Sequence, residues 1–497
     1  MKKIAMFLPV LVTAYGICMI AGCVTGGTPT EDTATEGGTI IRGGNVDMSR
    51  FPFPQHTEYA VAPMMPDNKT QEQMDDIIIN LFSKILINDL IVDAKGPQTW
   101  EEFRMVFRHT QDWEISEGTI NVSHVNVSES QGYGMLITAY MAGSEDRLTL
   151  SEKDWIFGCN SLKEYYDAMF RTVMAYPSII GPHLFCWELF GYPKDGSNKT
   201  GYKTVNGVKL APFTQDKQSG DSATDGDMDI IYSLILADRQ WGSDGKYDYI
   251  GYARLMLADL WKYCVHDQYR TLLLGDWVKK ASNETLRHAT RPSDFITSHL
   301  KVYKEIDPDH DWQSVIDATY NVIKEIRDAQ NKLGNTNGLM PDFAIRGASG
   351  WVVPEKKILE ADDGSYYYNA CRVPWRLGTD YLLYGNTKIG DSSLYDYIIK
   401  PLDDFAREFS KGDVNKFGPF YLNGKIYSWT APDTFTPPLL VTAAANGADQ
   451  KWVNNFWNYS PKGKWDFKGF AGYSGDTYSD YIKLIVMLTV SGNYWQP

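Results

Sequence analysis

Apolar residues recur at spacings of three and four along several stretches of this chain, as they do in a helix with one buried face. Long connections rich in aromatic residues and glycine lie between these stretches, and they lack the strict alternation that is typical of strands. Repeated long helices joined by elaborate loops predict an all-α toroid of helical hairpins with a cleft at one end, and a few short strands in the loops. The helical pattern occurs in MDDIIINLFSKILIND, GYGMLITAYMAG, DIIYSLILADRQW, YARLMLADLWKYCV, SVIDATYNVIKEIRDA, YDYIIKPLDDFAREF and DYIKLIVMLTV.

The N-terminus has a different pattern. Lys2 and Lys3 precede the apolar run FLPVLVTAYGICMIAG, which is typical of a secretory signal and short for a membrane span of about 20 residues. The letters IAGC resemble a bacterial lipobox, so we expect residues 1–22 to be a lipoprotein signal peptide and Cys23 to carry lipid. An ordinary signal with a chance cysteine is the alternative. Either way, the sequence predicts an exported protein, held in the bacterial envelope (outer surface or periplasm-facing) or secreted.

The stretch after Cys23 reads VTGGTPTEDTATEGGTIIRGGNVDMSRFPFP, which is rich in Thr, Gly, Glu and Pro. Such a composition cannot bury enough apolar surface to order itself, so we interpret residues 23–55 as a flexible tether. No similar linker follows, and residues 56–497 are therefore predicted to form a single domain.

The composition of the chain argues against nucleic-acid binding and suits sugar binding. The net charge of −14 argues against a nucleic-acid partner, because a phosphate-binding surface needs clustered Lys and Arg. The chain has 15 Trp and 31 Tyr, of which about half can be assigned to the core. The rest would suit a sugar-binding cleft, since the C–H faces of sugar rings stack on aromatic side chains. The remaining cysteines have no metal-type spacing, and they are either buried thiols or include one disulfide; they are Cys159, Cys186, Cys264 and Cys371.

Two predicted helix starts carry carboxylates. In VSESQGYGMLITAYMAG, Ser128 and Gln131 have the spacing of a capping box, which places Glu129 in the first helical turn. Glu is also common there simply because it complements the helix dipole. In SATDGDMDIIYSLILADRQWG, Ser222 and Asp225 repeat the pattern of a cap followed by an acid.

The alternation of Asp225, Asp227 and Asp229 raises the possibility of a calcium loop. An EF-hand needs Gly at its sixth position and Glu at its twelfth, where this chain has Ile230 and Leu236. The sequence therefore predicts neither a calcium loop nor any other metal site here.

Together these segments resemble glycoside hydrolase family 8. The family signature, Ala-Ser/Thr-Asp-Ala/Gly-Asp followed by a helix that ends in Ala, three residues and an aromatic, appears here as ATDGD with Ala237 and Trp241. SESQGYGM resembles the family's SEGQGYGM, with Ser130 for Gly, and Ile231 stands where Ala is usual, a packing change that we expect to be harmless. The resemblance extends to NACRVPWRLGTDY and to the C-terminal DTYSDYIKLIVML, so it spans nearly everything after the tether.

The resemblance implies an (α/α)6 barrel that hydrolyses β-1,4-linked polysaccharides with inversion and needs no cofactor. Glu129 matches the general acid, and Asp225 matches the carboxylate that grips the sugar ring at the cleavage point. Arg372 matches a substrate-contacting arginine, and Tyr478 matches a cleft tyrosine. We expect a monomer whose partner is the polysaccharide and whose membrane contact is limited to the N-terminal lipid. Further predicted substrate-binding residues are Tyr133, Trp187, Asn369 and Trp375, and Trp351 is a further candidate for stacking.

Many family members have the base, an Asp, where this chain has Asn369, and an amide cannot accept a proton. One branch of the family, which includes chitosanases, lichenases and endoglucanases, instead takes a Glu base from a longer upstream loop. Glu360 in LEADDGSYYYN resembles that Glu, and Asp362 and Asp363 are its rivals by position. An inverting hydrolase needs only a carboxylate about 6.5–9.5 Å from the acid, with room for a water between them.

Three alternatives stay open at this point. The base could be lost, which would leave a catalytically inactive sugar-binding surface lipoprotein. The helices could serve envelope assembly, in which case Glu129, Asp225 and Glu360 would not lie together. If the chain is an enzyme, its substrate could be a β-glucan of the cellulose or lichenan type or chitosan, whose ammonium groups would suit an acidic loop.

Overall fold

The computed structural model describes residues 49–109, 124–191, 203–205, 207–215, 220–360, 362–460 and 473–497. The predicted signal peptide, Cys23 and most of the predicted tether lie outside these residues. The predicted end of the tether at residue 55 is too late, because Phe53 is only 4% exposed and its N–H donates to the carbonyl of Ala142 at 2.8 Å. Burial of this aromatic side chain fixes residues just before it as well, and Arg50 N–H donates to the carbonyl of Gln240 at 3.0 Å.

Twelve helices of eight or more residues occur in the described part of the chain, and they alternate along it between an outer and an inner position. The outer helices are α1 (Gln71–Asn88), α3 (Leu162–Ala175), α5 (Tyr249–Asp259), α7 (Trp312–Lys332), α9 (Lys400–Ser410) and α11 (Gln450–Trp457). The inner helices are α2 (Ser128–Tyr140), α4 (Thr224–Trp241), α6 (Thr297–Ile306), α8 (Val373–Tyr384), α10 (Pro437–Asn446) and α12 (Thr477–Val490).

Burial separates the two sets. Helix α4 is buried along almost its whole length, whereas α7 buries a stripe that contains Val315, Ile316, Val322 and Ile323 and exposes its other face. A helix that is apolar on all sides belongs inside, and an amphipathic one covers it. Each inner helix contacts the next, and α12 contacts α2, so the inner ring is closed. The fold is therefore an (α/α)6 barrel, which confirms the predicted fold class.

Two glycines let α2 and α4 approach closely. A Cβ added at Gly226 would lie 2.5 Å from the backbone carbonyl carbon of Ser128, and one added at Gly132 would lie 2.7 Å from the Cβ of Asp229. No larger residue fits at either position without moving a helix. This contact brings together the first turns of the two helices, which carry Glu129 and Asp225.

Short strands in the loops form small sheets. Their bounds are β1 (Leu90–Asp93), β2 (Met105–Phe107), β3 (His124–Val127), β4 (Glu188–Phe190), β5 (Lys203–Val205), β6 (Val208–Ala211), β7 (Thr214–Gln215), β8 (Ala289–Thr290), β9 (Ala344–Gly347), β10 (Gly350–Val352), β11 (Lys388–Ile389) and β12 (Ser392–Ser393). Sheet orders are β2-β1-β6-β5, β3-β4-β7, β10-β9-β8 and β11-β12. Two shorter helices, Glu284–Arg287 and Pro432–Phe435, also lie in the loops.

The described residues include four cysteines and no membrane-spanning helix. Cys159, Cys186, Cys264 and Cys371 are buried thiols, which is the first of the two possibilities left by the sequence. No helix in the described ranges is both long enough and apolar enough to span a bilayer.

Candidate active site

The predicted site residues converge where the inner helices begin. Glu129 is the second residue of α2, Asp225 the second of α4 and Tyr478 the second of α12, while Arg372 directly precedes α8. The structure thus brings four side chains together from positions up to 349 residues apart in sequence (478 minus 129). All four side chains therefore lie at the same end of the barrel.

Arg372 is the centre of the cluster. Its guanidinium, 2% exposed, donates to Glu129 Oε1 and, through the same Nη1, to Asp225 Oδ2 at 2.8 Å. Its Nη2 donates to Ser293 Oγ and to Asn369 Oδ1, both at 3.0 Å. A planar guanidinium suits this task because its donors point outward in a fixed fork. Arg372 therefore sets the relative positions of both carboxylates and of the amide.

Glu129 has a second partner on its own helix. Tyr133, one turn further along α2, donates its hydroxyl to Glu129 Oε1 at 2.7 Å. The Glu129 side chain is 18% exposed, compared with 4% for Asp225. Glu129 is thus the more accessible of the two carboxylates and can meet a molecule in the cleft.

The predicted caps are wrong, although both helices begin where expected. Ser128 is already helical, and Ser130 makes the local bonds instead, accepting from Val127 N–H at 3.3 Å and donating to the Val127 carbonyl at 2.9 Å. At α4 the N-cap residue is Ala223, not Ser222, and Asp225 Oδ1 accepts from Gly226 N–H at 3.0 Å.

The three alternating aspartates at the start of α4 have separate partners. Asp225 contacts Arg372, and Asp227 Oδ1 accepts from Phe185 N–H at 2.9 Å. Asp229 lies deeper in the barrel, where it pairs with Arg376 and His299. Burial raises the pKa of Asp227, whereas Arg376 and the hydrogen bond from His299 hold that of Asp229 below its usual value despite its burial. Within the described ranges, no group of three or more His, Cys, Asp or Glu side chains is arranged to hold a metal ion.

The acidic loop distinguishes its three carboxylates. Asp363 is buried and accepts N–H bonds from residues 358, 359 and 360, so it holds the turn together. Asp362 Oδ1 accepts from the hydroxyl of Tyr427 at 2.9 Å. Glu360 is exposed, and its Oε2 accepts from Asn369 Nδ2 at 3.0 Å. Among these three side chains, Glu360 is the one that contacts the Arg372 network.

The sequence did not predict Asp342, which lies beneath Asn369. It is 1% exposed and accepts hydrogen bonds from Asn369 Nδ2 at 3.1 Å and from the backbone N–H groups of Tyr367, Asn369 and Ala370. Burial raises the pKa of Asp342 to about 7 and the nearby Glu360 adds to this rise, while the three backbone donors oppose it. No sequence motif surrounds Asp342. It precedes β9, and the pairing of β9 with β8 brings it to the site.

Arg291 was also missed. It follows β8, and its Nη1 lies 3.6 Å from Asp225 Oδ2 and donates to Asn369 Oδ1 at 3.4 Å. Its Nε lies 3.6 Å from Asp294 Oδ2. Burial raises the pKa of Asp294 to about 7, an effect that Arg291 opposes. A second guanidinium thus faces the same amide oxygen as Arg372.

The aromatic predictions divide into two groups. Trp375 and Trp351 are 1% and 4% exposed, so their predicted stacking on a ligand is wrong. Tyr133, predicted to bind substrate, is fully buried and contacts Glu129 instead. One face of Trp375 is covered by the Arg376 guanidinium, 3.8 Å from the ring centroid. Trp187 is 41% exposed, and its carbonyl accepts from Ser128 N–H at 2.8 Å, beside Glu129.

Tyr478 and Asn369 lie beside Arg372. Tyr478 is half-buried and donates its hydroxyl to the carbonyl of Tyr368 at 2.9 Å. Asn369 is 8% exposed and bridges Glu360 and Arg372 through its two amide ends. Tyr478 is thus the more accessible of the two, whereas Asn369 acts mainly on its protein neighbours.

Comparisons with known proteins agree with this architecture. The family model described as "Glycosyl hydrolases family 8" matches residues 210–395. A beta-glucanase of Niallia circulans is 31% identical over 89% of this chain and 91% of its own length, and an endoglucanase of Bacillus sp. (strain KSM-330) is 28% identical over 98% and 91%. The apo structure of a beta-1,3-1,4-glucanase from Paenibacillus sp. X4 superposes with a TM-score of 0.69 at 30% identity, covering 90% of this chain and 99% of that one.

Proposed function

The chain belongs to glycosyl hydrolase family 8 and is a glycoside hydrolase, and from this premise we propose that it is an inverting, endo-acting enzyme that cleaves β-1,4 linkages in a mixed-linkage β-glucan. Its relatives named beta-glucanase, endoglucanase and beta-1,3-1,4-glucanase support a glucan as substrate. Chitosan, which the acidic loop alone would permit, has no such support.

The contact between Glu360 and Asn369 carries the proposal. It supports Glu360 as the general base in a chain whose usual base position holds an amide. Glu129 contacts Arg372 at one end of the network and Glu360 contacts Asn369 at the other, while Arg372 and Asn369 bond each other at 3.0 Å. Two bonded groups between the carboxylates are compatible with the wider spacing that an inverting mechanism needs for its water.

In the proposed reaction Glu129 gives its proton to the glycosidic oxygen as the bond from that oxygen to the anomeric carbon breaks. A water attacks the anomeric carbon from the opposite face of the ring, and Glu360 takes the proton that this water loses. Asp225, which Arg372 and Arg291 hold, grips the hydroxyls of the sugar at the cleavage point. The products are two shorter glucans, one with a new reducing end of inverted configuration.

The contact between Arg372 and Glu129 bears on the proton that Glu129 must carry. A guanidinium against Glu129 favours its ionised form, whereas a general acid must carry a proton. We therefore propose that the bound sugar separates the pair. Arg372 keeps Asp225, Asn369 and Ser293 as partners in that state, so that the loss of Glu129 leaves its donors satisfied.

The alternative of an inactive sugar-binding protein is not favoured. It would require that the loop carboxylates serve another purpose, which holds for Asp362 and Asp363 but not for Glu360. Glu360 is exposed to solvent and directed at the network that holds Glu129 and Asp225. A side chain in this position has access to the water that the reaction needs.

The function is tested by incubating the purified protein with lichenan, barley β-glucan, carboxymethylcellulose, xylan and chitosan. We expect new reducing ends from lichenan and barley β-glucan, a mixture of internal fragments at early times, and NMR signals of the inverted anomer first. Binding to these glycans without new reducing ends would support the inactive alternative. Faster cleavage of chitosan than of any glucan would reassign the substrate.

Replacement of Trp187 by alanine should raise KM for β-glucan about tenfold with little change in kcat. The exposed indole beside Glu129 offers a stacking face, and a loss of about 1.4 kcal/mol in binding corresponds to a factor of ten. Trp375→Ala is the contrasting variant, because it opens a cavity in the core and should lower the free energy of unfolding by about 3 to 5 kcal/mol. Steady-state kinetics and thermal unfolding measure both effects; an unchanged KM in the Trp187 variant would contradict the assignment.

A further inference from the structure

Building on the proposed function, we propose that Asp342 is a positioning residue that fixes the orientation of the Asn369 amide and, through that amide, the place of Glu360. Asp342 touches neither the cleft nor Glu360 directly in the hydrogen bonds described. Its influence on the reaction would therefore be carried by Asn369, whose Nδ2 donates to both carboxylates.

Both oxygens of Asp342 are used by donors from one turn of the chain. Oδ1 accepts from the N–H groups of Tyr367 at 2.9 Å and Ala370 at 2.7 Å. Oδ2 accepts from the N–H of Asn369 and from its Nδ2, both at 3.1 Å. The carboxylate thus acts as a template for the turn that leads into α8, and with its four acceptor positions filled it leaves the turn little freedom.

The amide of Asn369 can adopt only one orientation in this setting. Its Nδ2 faces two carboxylates, Asp342 and Glu360, while its Oδ1 faces two guanidinium groups, Arg372 and Arg291. A half-turn of the amide would direct its oxygen at the carboxylates and its N–H groups at the arginines. Each of these four contacts would become repulsive, so the network selects the orientation that offers an N–H to Glu360.

The backbone ties the same elements together. Asp342 N–H donates to the carbonyl of Ser365 at 2.8 Å, and Phe343 N–H donates to the carbonyl of Asp363 at 2.9 Å. Asp363 in turn accepts from Glu360 N–H at 2.8 Å. The segment before β9 therefore supports the end of the acidic loop through its backbone, and the Asp342 side chain supports the turn at residues 367–370.

Replacement of Asp342 by asparagine tests the proposal. The new amide puts an N–H against one pair of donors, whichever way it is turned, because both carboxylate oxygens are surrounded by N–H groups. The Asn369 amide should then rotate or move away, and Glu360 should lose its partner. We expect kcat on β-glucan to fall about 100-fold, within the range for loss of a general base's alignment, with KM changed by less than about threefold.

Asp403→Asn is the matched control. Asp403 is 2% exposed and accepts from Asn446 Nδ2, Trp452 Nε1 and Arg407 Nε, so it is also a buried carboxylate surrounded by donors, but it lies on the outer helix α9. Its loss should lower the melting temperature and leave kcat and KM near those of the wild type. If both variants lose kcat alike, Asp342 contributes only stability, and the proposal is overturned.

Asn369→Ala covers the case in which Asp342→Asn does not fold. It removes the side-chain amide that links Asp342 to Glu360, while Tyr367 and Ala370 N–H can still donate to Asp342. This variant should lower kcat about as much as Asp342→Asn does. If Asp342 acts through Asn369, the double variant should lose no more kcat than Asn369→Ala alone. Multiplied losses in the double variant, or normal kcat in Asn369→Ala, would overturn the proposal.

Crystal structures separate a failure of this proposal from a failure of the proposed function. Should the wild type hydrolyse none of the glycans, the position of Glu360 in Asp342→Asn, or in Asn369→Ala if the former does not fold, still decides the matter. Displacement of the Glu360 carboxylate from the wild-type position supports the positioning role. A carboxylate that stays in place, with the rest of the network unchanged, contradicts it whatever the enzyme's activity.

Discussion

Replacement of Glu129 by glutamine should lower kcat on unactivated β-glucan by about 1,000-fold while binding of the glucan persists. The proposed reaction needs a proton for the leaving oxygen, and a positioned acid of this kind contributes about 10²–10⁴-fold. Glutamine has the same shape and can still accept from Arg372 and from the hydroxyl of Tyr133, so the geometry of the cluster should survive. The loss would therefore be chemical rather than structural.

The measurements are turnover by reducing-end assay and affinity for a glucan oligosaccharide by calorimetry. An aryl glycoside with an acidic leaving group needs less protonation, so its hydrolysis should fall much less. Glu325→Gln is a suitable control. Glu325 lies on the outer helix α7, where it accepts from the N–H of Trp351 and has no bond to Arg372 or its partners among the hydrogen bonds described. Turnover near the wild-type rate in Glu129→Gln would remove Glu129 from the role of acid.

The sequence predicted best what depends on local pattern. Helical spacing identified three of the six inner helices and four of the six outer ones, and the SESQGYGM and ATDGD motifs placed Glu129 and Asp225 in the first turns of two inner helices. The glycines of these motifs also explain why the two turns meet, since Gly132 and Gly226 lie at the closest approach of α2 and α4. Each of these motifs contains both a site carboxylate and the glycine at the helix contact, so the motif alone predicts where the carboxylate lies.

The missed residues depend on contacts between distant segments. Arg291 and Asp342 meet the site because β8 pairs with β9, with Thr290 opposite Ala344. Each strand is too short to show alternation, and neither residue has a motif of its own. A pairing of this kind is set by tertiary packing, which spacing along the chain does not reveal.

The wrong assignments have a related cause. Trp375 was among the predicted substrate-binding residues, yet in α8 it is buried and packs against Arg376 and Tyr133. Residue type gives the chemistry of an aromatic side chain but not the direction in which its helix presents it. The predicted caps are wrong because other residues of the first turn make the local hydrogen bonds, Ser130 in α2 and Asp225 in α4.

Replacement of Glu360 by glutamine should also lower kcat on β-glucan by about 1,000-fold or more, because glutamine cannot take the proton from the attacking water. Affinity for the glucan should change little, since glutamine can still accept from Asn369 Nδ2 through its carbonyl oxygen. Asp362→Asn is the matched control from the same loop. Its carboxylate accepts from the hydroxyl of Tyr427, a contact that an amide oxygen can replace, so its kcat should stay within about threefold of the wild type.

The anomeric configuration of the wild-type product separates a base from a nucleophile at position 360. The first product should be inverted, because in an inverting enzyme this carboxylate never forms a bond to the sugar. Proton NMR of the first product measures this directly. A retained product would mean that Glu360 attacks the anomeric carbon, whereas loss of activity in Asp362→Asn with an active Glu360→Gln would move the base to Asp362. Since Asn369 offers its N–H to Glu360 and not to Asp362, we expect neither outcome.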